Sequence, residues 1–204
     1  MAHTISQSVA ALKKHKPFAP LIKKHGPPDF TRYHGKLSIF ESLLRSIVFQ
    51  QLSGHAAKAI HARVCALYPK NKPTPELVLK TRVPKLRKAG LSAQKVAYTK
   101  DLAKYFEKGL INEKKIRRME SAEIIERLTE IKGVGVWTVQ MLLIFTLQRP
   151  DILPTDDLGI RKGFQKVYGL PSLPTKRDME ALATPWLAHT TAASWYLWRS
   201  LDTE

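Results

Sequence analysis

Apolar residues recur at three- and four-residue steps along nearly the whole chain, and no segment alternates apolar and polar residues convincingly. That rhythm admits helices and leaves no stretch for a sheet. Ile39, Phe40, Leu43, Leu44, Ile47 and Val48 mark one face of LSIFESLLRSIVFQQ, and HAAKAIHARVCALY repeats the pattern. SAQKVAYTKDLAKYFEKG predicts a third helix with Ser92 as N-cap and Gly109 as stop, and SAEIIERLTEI a fourth with Ser121 as N-cap. WTVQMLLIFTLQ is apolar on almost every side, which predicts a buried helix. DLGIRKGFQKVYG follows, and the segment from Pro185 through TTAASWYLWRS forms the last helix. The expected architecture is all-α, with about ten short helices and no long linker. The 204 residues suffice for one compact domain or two small lobes.

Charge narrows the partner. Lys and Arg number 34 against 17 Asp and Glu, a formal net charge of +17. Solubility needs far less, so a polyanion is implied, most simply nucleic acid, with an acidic membrane surface as the alternative. No apolar run is long enough to span a bilayer. The N-terminal apolar stretch is too short for a signal peptide. Cys65 is the only cysteine, which excludes a disulfide framework, a zinc finger and a four-cysteine iron–sulfur cluster. An intracellular protein is the consistent expectation. KKHKPFAPLIKKHG reads as a basic arm or first helix that adds salt-sensitive affinity for nucleic acid.

IERLTEIKGVGVWTVQML reads as helix, tight turn, helix. Gly133 and Gly135 can adopt positive φ and leave amides uncovered at a helix N-terminus, an arrangement suited to phosphate. A dinucleotide fingerprint fails, because the third glycine is missing and no strand precedes the turn. An ordinary helix–helix turn remains the plain alternative.

IKGVGVWTVQMLLIF followed by RPDILPTDDLGIRKG resembles the helix-hairpin-helix DNA glycosylase superfamily. The likeness lies nearest its alkylpurine branch, the 3-methyladenine DNA glycosylases of the AlkA and Mag type. FQQLSGHAAKAI and AASWYLWR share that likeness, which extends roughly over residues 30–200. The resemblance implies two helical lobes with a cleft between them. Residues 36–130 would form the first lobe and 121–148 the hairpin, with 1–35 and 149–204 in the second lobe. It implies a hairpin of Gly133, Val134, Gly135 and Val136 that holds the DNA backbone. It also implies a monovalent cation, Na+ or K+, on the carbonyls of Thr129, Ile131 and Val134, with no cofactor required. The expected partner is double-stranded DNA containing alkylated bases, bound by a monomer without a membrane. The location would be the nucleus in a eukaryote, or the cytoplasm and nucleoid in a prokaryote.

The same resemblance assigns roles. Asp156 and Asp157 both read as N-caps from the residues alone; the family pattern puts the essential aspartate directly before Leu-Gly, at Asp157. Two adjacent aspartates cannot flank a sugar from opposite faces, as most glycosidases require. An alkylated purine already carries positive charge, so its departure needs no acid. One carboxylate could stabilise the oxocarbenium-like sugar and orient water. Trp137 stands where lyase-competent members carry a lysine nucleophile, which implies a monofunctional enzyme; Lys132 does not match that position.

Leu52 takes the wedge position that fills the gap left by a flipped nucleotide, with Gln50, Gln51 and Ser53 as base-interrogating neighbours. On residues alone a core leucine at a helix C-terminus is the better reading of Leu52. Some relatives carry histidine where this chain has Ser53, a departure that bears on minor-groove reading there. Trp137, Phe145, Trp186, Trp195 and Trp198 are candidates for stacking on a cationic base, with Trp137, Phe145 and Trp198 favoured. Met141 stands where one relative carries a tyrosine. Arg161 and Lys162 are candidate phosphate contacts, or simply a solvated helix face. The reading that emerges is release of 3-methyladenine and 7-methylguanine, with 1,N6-ethenoadenine and hypoxanthine as further candidates. The alternatives are a noncatalytic DNA-binding protein or an oxidised-base glycosylase.

Overall fold

The computed structural model describes residues 4–30 and 37–202. Among the described residues every regular element is helical, as the periodicity requires. In chain order these are α1 (Ile5–Leu12), α2 (Ala19–His25), α3 (Ile39–Phe49), α4 (Gly54–Cys65), α5 (Pro75–Lys80), α6 (Val83–Lys88) and α7 (Ala93–Glu107). Then come α8 (Glu113–Ile116), α9 (Ser121–Thr129), α10 (Val136–Phe145), α11 (Leu158–Tyr168), α12 (Lys176–Ala183) and α13 (Thr190–Arg199). Short 3-10 turns occupy Pro69–Asn71 and Thr184–His189. No described helix is long and apolar enough to cross a membrane.

The chain divides into two compact units: His34–Leu142, and Met1–Tyr33 with Leu143–Glu204. The central unit packs α3 and α5 on α7. Ser38 starts α3 with a reciprocal cap: its hydroxyl accepts from the Glu41 amide at 3.1 Å, and the Glu41 carboxylate accepts from the Ser38 amide at 2.9 Å. The apolar face predicted for α3 is buried, with Leu43, Leu44, Ile47 and Val48 all inaccessible. Ser92 caps α7 as expected, and Gly109, at φ +69°, follows its end.

The unit formed by the two chain ends centres on α11, α13 and Trp186. Phe164 stacks on Trp186 with ring centroids 5.9 Å apart, and Phe18 meets the same indole edge-on at 5.3 Å. The Trp186 indole donates to the Tyr168 hydroxyl at 3.2 Å. Gly163 lets α11 approach α13: a Cβ there would lie 2.6 Å from the Leu197 carbonyl oxygen.

Three expectations need correction. Glu120, in extended conformation, is the N-cap of α9, and Ser121 is already its first helical residue. The last helix does not run unbroken from Pro185. Trp186, at φ −136° and ψ 29°, interrupts it, and α13 starts at Thr190. Finally, α10 is not buried throughout, because Trp137 remains 46 % exposed. The basic stretch after α1 contains α2, whose last turn carries Lys23, Lys24 and His25 beside its C-terminal carbonyls.

Candidate active site

The hairpin between α9 and α10 gives its two glycines different tasks. Gly133 adopts φ +81°, and a Cβ on it would collide with the Tyr98 ring. Gly135 does not use the positive-φ freedom open to it, and a Cβ on it would meet nothing within 4 Å. Its carbonyl accepts from the Val139 amide at 3.1 Å, which makes it the N-cap of α10. The turn itself is closed by the Val134 amide on the Ile131 carbonyl at 3.0 Å. Val134 and Ile131 are buried, whereas Val136 and Trp137 are 45 % and 46 % exposed at the start of α10. The hairpin thus offers bare backbone and an exposed indole beside a helix N-terminus.

The loop after α3 lies against this hairpin. Gln50 ends the helix, and its side-chain amide donates to the Gly133 carbonyl at 2.7 Å. Gln51 takes φ +55°, a left-handed conformation uncommon outside glycine. Leu52 follows at 38 % exposed, so it is not the core leucine that the residues alone allowed. The Ser53 hydroxyl caps α4 by accepting from the Ala56 amide. The loop, α7 and the hairpin border a concavity of about 540 Å3.

In the other unit, Asp157 is the N-cap of α11. Its Oδ1 accepts from the Ile160 amide at 2.9 Å and from the Trp198 indole nitrogen at 2.9 Å. Two donors on one oxygen fix the carboxylate's orientation. Gly159 makes this possible: a Cβ there would sit 2.9 Å from both Asp157 Oδ1 and Trp198 Cδ1. Asp156 is exposed, and of the two aspartates it is Asp157 that caps. The Trp198 ring stacks on Phe145 at 6.0 Å with planes 23° apart, and Phe145 also meets Phe30 at 6.0 Å. A carboxylate, an indole donor and a stacked aromatic pair therefore lie in one cluster.

The remaining candidates separate by burial. Trp137, Met141 and Phe145 recur at four-residue intervals on α10, hence on one helix face. Met141 is only 8 % exposed. Trp186 belongs to the core described above. Trp195 is buried too, with the Arg199 guanidinium 5.0 Å from its ring centre. Arg161 turns back to donate to the Pro174 carbonyl at 3.2 Å, while Lys162 is exposed. No three His, Cys, Asp or Glu side chains group as metal ligands among the described residues.

Sequence reasoning missed a row on α7. Lys95 donates to the carbonyls of Val48 and Gln50 at 2.8 and 2.7 Å, and burial pushes its ammonium below the usual lysine value. Tyr98 packs under Gly133, and the Asp101 carboxylate accepts from the Lys132 amide at 3.0 Å. Their spacing of three along a helix was the available signal. Nothing in the sequence says what such a face would touch.

These elements define an all-helical protein built around a helix-hairpin-helix turn, with a capping aspartate on a later helix. Residues 44–189 match the HhH-GPD superfamily of base excision DNA repair proteins, and the chain belongs to that superfamily. It is 40 % identical over 182 residues to DNA-3-methyladenine glycosylase 1 of Schizosaccharomyces pombe, covering 88 % of this chain and 80 % of that one. The solved structure of the S. pombe 3-methyladenine DNA glycosylase in complex with abasic DNA superposes with a TM-score of 0.84 at 37 % identity, covering 95 % of each chain. A DNA-3-methyladenine glycosidase from Bacillus halodurans gives the same TM-score, 0.84, at 32 % identity, over 95 % of this chain and 88 % of the other.

Proposed function

We propose that this protein is a monofunctional DNA glycosylase that binds duplex DNA, flips an alkylated purine out of the stack and hydrolyses its N-glycosidic bond. The products are a free base and an abasic site. The proposed substrates are 3-methyladenine and 7-methylguanine, with 1,N6-ethenoadenine and hypoxanthine as further candidates. The observation that carries this reading is the Asp157 carboxylate, clamped by Ile160 and Trp198 beside the Phe145 stack.

A single fixed carboxylate suits a leaving group that is already cationic. Alkylation weakens the glycosidic bond, so the enzyme has only to stabilise the sugar cation and orient water. One charge pair at about 4 Å in an effective dielectric near 20 contributes about 4 kcal/mol. That is a rate factor of about a thousand, adequate for a labile base and inadequate for an undamaged one. A cationic base gains further from stacking on Trp198 and Phe145, and Met141 and Trp137 are assigned to base recognition on the same helix. Trp137 has no amine, so no Schiff base forms and no strand cleavage follows.

In the same reading, the amides of Gly133, Gly135 and Val136 grip a phosphate while that of Val134 closes the turn, and Leu52 enters the gap left by the flipped base, with Gln51 and Ser53 beside it. Lys162 adds a phosphate contact. The chain acts as a monomer, and its net charge of +17 makes binding salt-sensitive. A monovalent cation on the carbonyls of Thr129, Ile131 and Val134 is consistent with the chemistry there. Backbone oxygens suit a hard ion, and the Ile131 carbonyl gives only part of its acceptor capacity to Val134.

The test is base release from methylated duplex DNA by wild type, Asp157→Asn and Asp156→Asn. Asparagine keeps the acceptor for both donors while removing the charge, so Asp157→Asn should lose on the order of a thousandfold in rate. Asp156→Asn should behave as wild type. The reverse pattern overturns the assignment, and binding without base release from any of the three proteins supports a noncatalytic DNA-binding module.

A further inference from the structure

The geometry points to α7 as a brace that sets the wedge loop and the hairpin at a fixed spacing, with Lys95, Tyr98 and Asp101 as positioning residues. The inference rests on the functional reading above, which gives those two segments their work on DNA. Lys95 holds the end of α3 through the carbonyls of Val48 and Gln50. One turn on, Tyr98 fills the space under Gly133, and its hydroxyl is held by the Gln94 amide at 2.7 Å. A further turn on, Asp101 accepts from the Lys132 amide next to the glycine. Gln50 closes the circuit, because its backbone is held by Lys95 while its side chain holds the Gly133 carbonyl. Two segments 83 residues apart in sequence are thus fastened to each other and to one rigid helix.

The same helix does this elsewhere for purely structural ends. Lys100 gathers the carbonyls of Val78, Leu79 and Thr81 at 2.8, 2.6 and 2.6 Å, at the C-terminal end of α5. Lysines on α7 therefore serve as carbonyl holders. A lysine lining a concavity beside a glycine hairpin would ordinarily be taken for a phosphate contact. Lys95 instead directs its ammonium to helix-terminal carbonyls, where the helix dipole favours a cation. Asp101 is the more telling residue. An acid next to a DNA grip weakens binding by repulsion, so its presence there requires an offsetting contribution.

The test compares Asp101→Ala with Asp101→Asn, which have equal charge and differ in the acceptor. Affinity for an undamaged duplex is measured at fixed salt, with no chemistry needed. Loss of one hydrogen bond should make the alanine protein bind about three- to tenfold more weakly than the asparagine protein. Repulsion alone predicts that both variants bind more tightly than wild type and equally. Equal affinities overturn the brace. Hydrogen exchange at the Lys132 amide without DNA supplies a second readout, faster in alanine than in asparagine; equal rates again overturn it. Lys95→Met tests the other end. Removal of a phosphate contact lowers the salt slope by about one, whereas removal of a positioning residue leaves it unchanged. A wild type that binds no duplex sinks the functional reading instead, and the exchange measurement still judges the brace.

Discussion

The two hairpin glycines should respond to substitution in opposite ways. Gly133→Ala puts a side chain at φ +81° and drives its Cβ into the Tyr98 ring. The left-handed conformation costs about 1–2 kcal/mol for a residue with a Cβ, and overpacking adds about 1–3 kcal/mol. The sum is about 2–5 kcal/mol, which for a chain of this size lowers the melting temperature by roughly 4–20 °C. Gly135→Ser is the contrasting change. Its Cβ meets nothing within 4 Å, and serine is a better N-cap than glycine. Stability should hold or rise by a few tenths of a kcal/mol. Yet the new hydroxyl occupies the α10 amides and the path of the phosphate. Losing one hydrogen bond to a charged group costs about 1.5–3 kcal/mol, or roughly 10- to 150-fold in DNA affinity. Urea midpoints and duplex titrations read the two effects separately. Equal destabilisation at both glycines, or undiminished DNA binding by Gly135→Ser, contradicts these separate roles.

Leu52→Ala should cost only about 1–2 kcal/mol in stability, because Leu52 is 38 % exposed. It should still slow base release from duplex DNA at least about tenfold, since the flipped state loses its plug; unchanged release sinks the wedge. Gly159→Ala forces Trp198 and Asp157 apart, so single-turnover release should fall, and overpacking of about 1–3 kcal/mol should lower the melting temperature by roughly 2–12 °C; retained activity contradicts the clamp. Burial pushes the Tyr196 phenol up to about 12 from an ordinary 10.0. A raised value means that stability is intact below the unfolded value and is lost as pH climbs from about 10 towards 12, where only the unfolded chain ionises. Tyr196→Phe should flatten that decline in urea midpoint, and an unchanged slope argues against it.

The helical architecture was legible because its signals are local. Periodicity set α3, Ser92 and Gly109 bounded α7, and Asp157 preceded a helix whose register follows from Ile160 and Phe164. Errors fell where two local signals compete. Serine is the better cap by composition, yet extended backbone at Glu120 moved the start of α9 one residue earlier. A tryptophan-bearing apolar run reads as core, yet Val136 and Trp137, at the very start of α10 after the hairpin, are left exposed. The candidate site divides similarly. Asp157 and the glycines announce themselves by type and spacing. The Trp198 donor, the need for Gly159 and the row of Lys95, Tyr98 and Asp101 depend on contacts between segments distant in sequence. A single sequence carries no local signal for such contacts.

Hydrolytic release of alkylated bases is read by incubating the wild-type protein with methylated duplex DNA and separating bases from strands. Free 3-methyladenine and 7-methylguanine, strands that break only on alkali treatment, and no covalent adduct after borohydride are the expected result. Tight binding with no free base would contradict hydrolytic release, and a borohydride-trapped adduct would contradict monofunctional chemistry.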